Sequence, residues 1–312
     1  MLTLQSLGRV VKPEYLFRPQ QIARRVWIEA FGDKSRMTTV VLPWGYPIVV
    51  SPAEQLGWAV YSRAIFELSL TEALWRLAGP GDTVVDGGAN IGYATSILAA
   101  RVGTTGKVHS FEPNPAAFAQ LSKNVDAWKT RGQNDTFVLH EEALGARSGR
   151  ATLHVPDSFE WNGGRARVES ESTPVKEPGS RIQVKVTSLD DLFSNGEEIS
   201  VVKLDLEGFE LDALKGMEGM LRERRIDHIV FEELDAYPAP THEFLQRQGY
   251  SVFGLDHRLR GLKCCADRQP YTHPEYGPPP NYLATLSPEK TVRRIERGLW
   301  RSFGPISYLS RR

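Results

Sequence analysis

The chain is 312 residues long, 41% hydrophobic and 24% charged, which fits one large domain or a domain with appendages and is ordinary for a globular protein with a buried core. Its 38 basic residues balance 38 acidic ones, so no global field draws it to nucleic acid. The two cysteines, Cys264 and Cys265, are neighbours with no zinc spacing, no apolar run approaches the ~20 residues a membrane helix needs, and Arg9, Lys12, Arg18, Arg24 and Arg25 break up any secretory leader, so a cytoplasmic, reducing setting is expected.

Residues 1–37 read as an irregular or helical arm with Trp27, Ile28 and Phe31 on one apolar face, and 39–50 as two short strands around a Pro/Gly turn. Ser69 and Glu72 have the spacing of a capping box before a helix that buries Leu70, Leu74 and Leu77 and stops at Gly79-Pro80. Strand 82–86 then leads to a helix over 91–101. Strand 107–111 leads to a helix capped by Asn114, with Pro115 at its first position and Phe118, Leu121 and Val125 as its buried stripe. Strands at 136–140, 199–204, 226–231, 250–255 and 281–286 follow, with helices over 208–217 and near 241–248. This alternation predicts an α/β fold, a doubly wound, mostly parallel seven-stranded sheet that binds ligands at the carboxyl ends of its strands.

Residues 146–186 interrupt the alternation. Strands over 151–155 and 181–186 predict a β-hairpin insertion, and the long polar loop between them carries Phe159, Trp161, Asn162, Arg165 and Arg167. It reads either as a lid in which Trp161, Asn162 and Arg165 meet an acceptor, or as a variable insertion. Residues 276–280 read as a stiff Pro-rich connector. The expected division is an N-terminal α/β extension (1–65), a central domain (66–287) and a basic tail (288–312). Both ends are basic: 1–36 holds seven Lys/Arg against three Asp/Glu, and 289–312 seven against two. Such ends are either solvated or in weak peripheral contact with an anionic lipid surface or an acidic partner.

The segment Val84-Val85-Asp86-Gly87-Gly88-Ala89-Asn90-Ile91-Gly92-Tyr93 joins a strand to an acidic residue, a glycine turn and a helix start. Glu112 ends the next strand 26 positions after Asp86, where a carboxylate accepts hydrogen bonds from ribose hydroxyls. A dinucleotide fingerprint would place glycine at Asn90, and a pyrophosphate wants bare N–H groups and not the Asp86 carboxylate beside it. An acidic turn suits a cationic ligand, which points to S-adenosylmethionine.

These motifs resemble the FkbM-like family of class I, S-adenosylmethionine-dependent methyltransferases. The matching stretches are Asp-Gly-Gly-Ala-Asn-Ile-Gly at 86–92, Phe111-Glu112-Pro113-Asn114, Glu142-Ala143-Leu144-Gly145, Thr187-Ser188-Leu189-Asp190-Asp191-Leu192, and the run 201–210 with Leu214-Lys215-Gly216. The likeness runs from about Phe66 to Leu286. It implies the Rossmann-like methyltransferase fold with a reversed strand at the sheet edge, and O-methylation of a small-molecule or glycan acceptor: a hydroxyl of a sugar or secondary metabolite. Glu67 aligns with an acidic position common in the family, though it also reads as a turn cap.

For the donor, the candidate residues are thus Glu67, Asp86, Gly88, Asn90, Gly92, Glu112 and Glu142, the last accepting from the adenine amino group, with Glu141 as its alternative. Methyl transfer is an in-line displacement that a general base assists. Asp205, at the tip of the fourth strand, is the leading base, with Glu207 and Glu232 beside it and Glu233 next in line. Asp205 also reads as a helix cap and Glu207 as a helix-dipole partner. Lys203 is an unusual cation in an apolar strand, suited to pair with one of these acids. The acids could instead hold a divalent metal, which is not predicted. His140 reads as an adenine or acceptor contact or as a structural residue. The alternatives are an NAD-linked oxidoreductase, which the absent phosphate loop disfavours, and a non-catalytic cofactor-binding protein.

Overall fold

The computed structural model describes residues 28, 35–130, 132, 135–157, 166–169, 178–266 and 280–303. The chain begins with an antiparallel ribbon, β1 (Thr38–Val41) and β2 (Pro47–Val50), then α1 (Gln55–Arg63) and α2 (Leu68–Leu77). Next come β3 (Thr83–Gly87), α3 (Tyr93–Val102), β4 (Lys107–Phe111), α4 (Pro115–Lys129) and β5 (Phe137–His140). The insertion holds β6 (Glu142–Leu144), β7 (Gly149–Pro156), β8 (Arg167–Glu169) and β9 (Gly179–Thr187). After it follow α5 (Leu189–Leu192), β10 (Ile199–Leu204), α6 (Glu210–Lys215), α7 (Glu218–Arg222) and β11 (Ile226–Glu232). The last elements are α8 (Pro240–Arg247), β12 (Ser251–Arg258), β13 (Gly261–Ala266), β14 (Asn281–Thr285) and α9 (Pro288–Glu296).

The main sheet is α/β and doubly wound, in the order β5-β4-β3-β10-β11-β14-β12-β13. Strands β5 to β11 in that order are parallel, and the remaining three pair antiparallel. Consecutive residues such as Val84 and Val85, Val201 and Val202, or Ile229 and Val230 are all fully buried, one in each of two clusters. Such a sheet is covered on both faces, which is why its strands read as unbroken apolar runs. The chain leaves β3 towards β4 and β5, then returns on the other side at β10. The carboxyl ends of β3 and β10 therefore flank the crevice where the strand order reverses, the place such sheets bind ligands.

Three expectations need correction. The sheet has eight strands and not seven: β13 closes a hairpin with β12, and its sequence, Gly-Leu-Lys-Cys-Cys-Ala with only Leu262 buried, carries little strand pattern. The reversed strand β14 lies between β11 and β12, and the edge falls to β13. Finally, no capping box forms, because Ser69 sits inside α2 and the N-cap residue is Glu67, at φ 43°. Glu72 is instead fully buried and pairs with Arg76 at 2.5 Å.

The insertion is larger than a hairpin, a four-stranded sheet in the order β6-β9-β7-β8, although Leu153 and Ile182 do face each other as the hairpin predicts. The N-terminal ribbon is tied to the central layer by Asn124, whose Oδ1 accepts from Val49 N at 2.9 Å and whose Nδ2 donates to the Ile91 carbonyl at 2.9 Å. At the other end, Arg76 donates to the carbonyls of Arg294, Arg297 and Leu299, and Glu72 accepts from the N–H groups of Arg301 and Ser302. Residues 1–27, with Trp27, and Phe31 lie outside the described residues; Ile28 is buried. Among the described residues no helix is long and apolar enough to cross a membrane.

Candidate functional site

The turn after β3 is held from within. Gly88 N and Ala89 N both donate to the Phe111 carbonyl, at 3.0 and 2.9 Å, and Gly92 N donates to Ala89 O at 2.8 Å. Asn90 N donates to Glu112 Oε2 at 2.8 Å. Gly88 adopts φ +73°, and a Cβ there would lie 1.9 Å from the Asp205 carbonyl oxygen, so only glycine lets the β3 and β10 ends approach this closely. Gly92 faces Leu121 and Trp128, where a Cβ would approach to 2.8 Å, so its bare backbone seats α3 against α4. These four N–H groups are spent on the protein itself. A pyrophosphate would find none of them free.

Glu112 is buried against this turn. Its Oε2 takes Asn90 N and its Oε1 takes Asn114 N, each at 2.8 Å. A carboxylate offers about four lone-pair sites, so roughly two remain for hydroxyl donors. Burial pushes its carboxyl up to about 7, against the pull of the two N–H bonds. Asn114 caps α4 as expected, its Oδ1 accepting from Ala116 N at 3.0 Å.

Lys203 is the hub beneath the turn. Its ammonium donates to the carbonyls of Gly87 and Gly88 at 3.0 and 2.8 Å and stands 3.2 Å from Asp86 Oδ1 and 3.6 Å from Asp205 Oδ2. Burial works against the charge, yet the Asp86 and Asp205 carboxylates hold its pKa above the ordinary lysine value. Asp86 is fully buried and accepts from Thr95 Oγ1 at 2.6 Å, so it reaches the turn only through Lys203.

Asp205 is 29% exposed at the lip of the crevice. It does not cap α6, whose N-cap residue is Phe209 with no side-chain bond; Glu207 precedes that helix at φ 55°. The loop carrying both is wrapped around Glu210, whose Oε1 accepts from Leu206 N at 2.7 Å and Gly208 N at 3.3 Å. Glu232, at the end of β11, is buried, with Oε2 lacking any hydrogen-bond partner among the described residues. Burial, then the charges of Asp205, Glu67, Glu207 and Glu210, push its carboxyl up to about 11. Glu67 is raised to about 8 by burial and by Asp205, while Asn281 Nδ2 donates to its Oε2 at 3.2 Å. Asn281 stands opposite Glu232 in the β11–β14 pairing. The structure thus gathers Glu67, Asp205, Glu207 and Glu232 close enough for their charges to act on one another, with Lys203 beside Asp205 and Glu67. Among the described residues, no three His, Cys, Asp or Glu side chains converge as a metal ion requires.

Other candidates lie elsewhere or are otherwise engaged. Glu142 Oε2 accepts from Thr187 Oγ1 at 2.5 Å, and Glu141 is exposed. Glu233 is occupied by Asp235 N and the Thr241 hydroxyl. His140 stacks on Phe111 at 4.2 Å and meets His109 at 3.2 Å; burial lowers both imidazoles, that of His109 to about 4. Phe159, Trp161, Asn162 and Arg165 lie outside the described residues, whereas Arg167 is exposed on β8. Sequence reasoning passed over Glu210, which sat in the quoted motif, and Asn281, whose signal was only its place at the start of a strand. Exposed Leu234, near Gly208 at the rim, was also missed. A cleft of about 180 Å³ opens beside Asn90, walled by Val49 and Glu54 on one side and by Ala116 and Gln120 of α4 on the other.

Residues 86–252 match the family model described as the methyltransferase FkbM domain. The chain is 30% identical over 188 residues to the hexuronic acid methyltransferase AglP of Haloferax volcanii, covering 54% of this chain and 69% of that one. It is 31% identical over 162 residues to the 31-O-demethyl-FK506 methyltransferase FkbM of Streptomyces tacrolimicus, covering 45% and 60%. The solved structure of methyltransferase FkbM from Methylobacillus flagellatus aligns with TM-score 0.41 and 16% identity over 72% of this chain and about half, 52%, of its own.

Proposed function

The chain belongs to the FkbM methyltransferase family, and from that premise and the geometry of the crevice we propose that it O-methylates a hydroxyl of a sugar, glycan or secondary-metabolite acceptor with S-adenosylmethionine as donor. One observation carries the donor assignment. Four of the turn's N–H groups, those of Gly88, Ala89, Asn90 and Gly92, are spent, while Glu112, locked to Asn90, keeps lone pairs for a ribose. S-adenosylmethionine supplies, when bound, an electrophilic methyl carbon on a sulfonium. Glu112 holds the ribose, Gly88 and Asn90 shape the turn the donor lies along, and Lys203 braces that turn from behind with Asp86. Glu142 and Glu67 are assigned to the adenine and methionine ends.

At the acceptor, Asp205 would take the proton of the hydroxyl that the methyl donor, held at Glu112, would alkylate. Lys203 holds the Asp205 carboxylate at 3.6 Å without blocking its exposed side. Glu207 and Glu232 complete the acidic wall, and Trp161, Asn162 and Arg165 are assigned to the acceptor side. The catalytic unit is taken as residues 66–287, with the described parts of the flanking segments, 35–65 and 288–303, tied to it through Asn124 and Arg76. The hydroxyl class follows the names of the relatives, one a hexuronic acid methyltransferase and one a 31-O-demethyl-FK506 methyltransferase.

The test is transfer of an isotopically labelled methyl group to a panel of sugar and polyketide hydroxyls, read by mass. Asp205→Asn should keep donor affinity and lose about 10²- to 10⁴-fold in turnover, the usual share of a general base. Unchanged turnover would move the base to Glu207.

A further inference from the structure

The described part of the basic C-terminal segment, up to residue 303, stands apart from the crevice residues and is built into a surface. The β12–β13 hairpin turns over at Arg258-Leu259-Arg260, and the chain after α9 passes beside it as Arg297-Gly298-Leu299-Trp300-Arg301. The two are joined: buried Trp300 donates its Nε1 to the Leu259 carbonyl at 3.1 Å, and a Cβ on Gly261 would stand 3.0 Å from the Gly298 carbonyl. Arg76 and Glu72 fix the second loop through the Leu299 carbonyl and the Arg301 N–H. Two rigid tips therefore stand side by side, each presenting a leucine, 46% and 53% exposed, between arginines.

A single exposed leucine is unremarkable on a soluble surface. Two on adjoining anchored loops, flanked by exposed Arg258, Arg260, Arg297 and Arg301, form an apolar tip with a cationic rim. One of these, Arg258, also pairs with Asp256 at 2.9 Å. We propose that this double tip docks on an anionic lipid bilayer, the leucines entering the headgroup boundary and the arginines meeting lipid phosphates. Interfacial binding scales with buried apolar area plus attraction to anionic lipid, and each arginine near such a surface contributes about 1 kcal/mol, or about fivefold in affinity. A nucleic acid would use the arginines and gain nothing from the leucines. The direction of β12 adds a consequence. It runs parallel to β11, and with Gly254 opposite Tyr282 its last residues, Asp256 to Arg258, extend about 10 Å beyond the start of β14 on the edge that carries Glu232 and Asp205. Docking brings the crevice edge towards the bilayer.

The experiment is flotation of the full chain with phosphatidylcholine vesicles, with and without phosphatidylserine, at low and raised salt. The chain should float with the phosphatidylserine vesicles alone and release in salt. Arg260→Glu with Arg297→Glu should weaken binding at least about 25-fold, two arginines at about fivefold each. Leu259→Ser with Leu299→Ser should weaken it about tenfold. All four positions are exposed, so both variants should melt with the wild type. Wild-type binding with both variants unaffected, equal binding to phosphatidylcholine alone, or failure to float with the phosphatidylserine vesicles, whether or not a short DNA duplex is captured, would each overturn the proposal. None of these outcomes depends on methyl transfer.

Discussion

Lys203 is one ammonium answering two carboxylates and two carbonyls in a space closed to water. A buried charge is tolerated only when paired and hydrogen-bonded, and here the pairing sets the distance between the turn after β3 and the lip after β10. Gly88 reports on the same contact. Alanine there would be strained at φ +73° and would press on the Asp205 carbonyl, so Gly88→Ala should lose about 1 to 3 kcal/mol of stability and weaken donor binding. Thermal melts with and without donor measure both; an unchanged melt and unchanged affinity would show that the turn has slack. Glu112 and Asn114 were legible in the sequence because strand tips and helix caps are local events. The engagement of Lys203 was not, since its carbonyl partners lie 116 and 115 residues away. Asp86 shows the same limit: its place in the motif is plain, but the burial that turns it inward depends on β10 beside it.

Among elements, the parallel strands were readable almost to the residue, because a strand buried on both faces is a continuous apolar run. Strand β13 was not, since one buried leucine among lysine and cysteines is all it has, and its pairing with β12 comes from the hairpin. The Ser69/Glu72 spacing misled for a related reason. Glu72 is engaged by a segment more than two hundred residues on, and tertiary context overrode a local rule. That engagement should be measurable. Glu72 and Arg76 are 0% and 1% exposed, so Arg76→Ala leaves a buried carboxylate without its cation and three carbonyls without their donor. Loss of about 3 to 5 kcal/mol is expected in urea denaturation. A loss below about 1 kcal/mol would mean the C-terminal segment is not held by this pair.

For the molecule as a whole, the crevice concentrates acids that keep their protons. Glu112 and Glu67 are raised from 4.5 to about 7 and about 8, mainly by burial, and Glu232 to about 11. An acid raised in the fold binds more protons folded than unfolded, so stability falls as pH rises through the window between the two values. His109 and His228, lowered from 6.5 to about 4, act in the opposite sense, but only below about 6.5. Between pH 6.5 and 8 the ligand-free protein should therefore lose stability, as denaturation midpoints at pH 6.5, 7 and 8 would show; a rise across that range would contradict the protonated crevice.

Calorimetric titration of S-adenosylmethionine, S-adenosylhomocysteine and NAD into wild type and Glu112→Gln, repeated in buffers of different ionisation heat, tests the donor site itself. Wild type should bind both sulfur nucleosides, releasing more protons with the cationic one as it draws Glu67 and Glu232 towards ionisation, and should ignore NAD. Glu112→Gln should weaken both by about 10- to 100-fold, the worth of a charged hydrogen bond of about 1.5 to 3 kcal/mol. Binding of NAD, or sulfur nucleosides bound as tightly by Glu112→Gln as by wild type, would contradict the assignment of this crevice to a methyl donor.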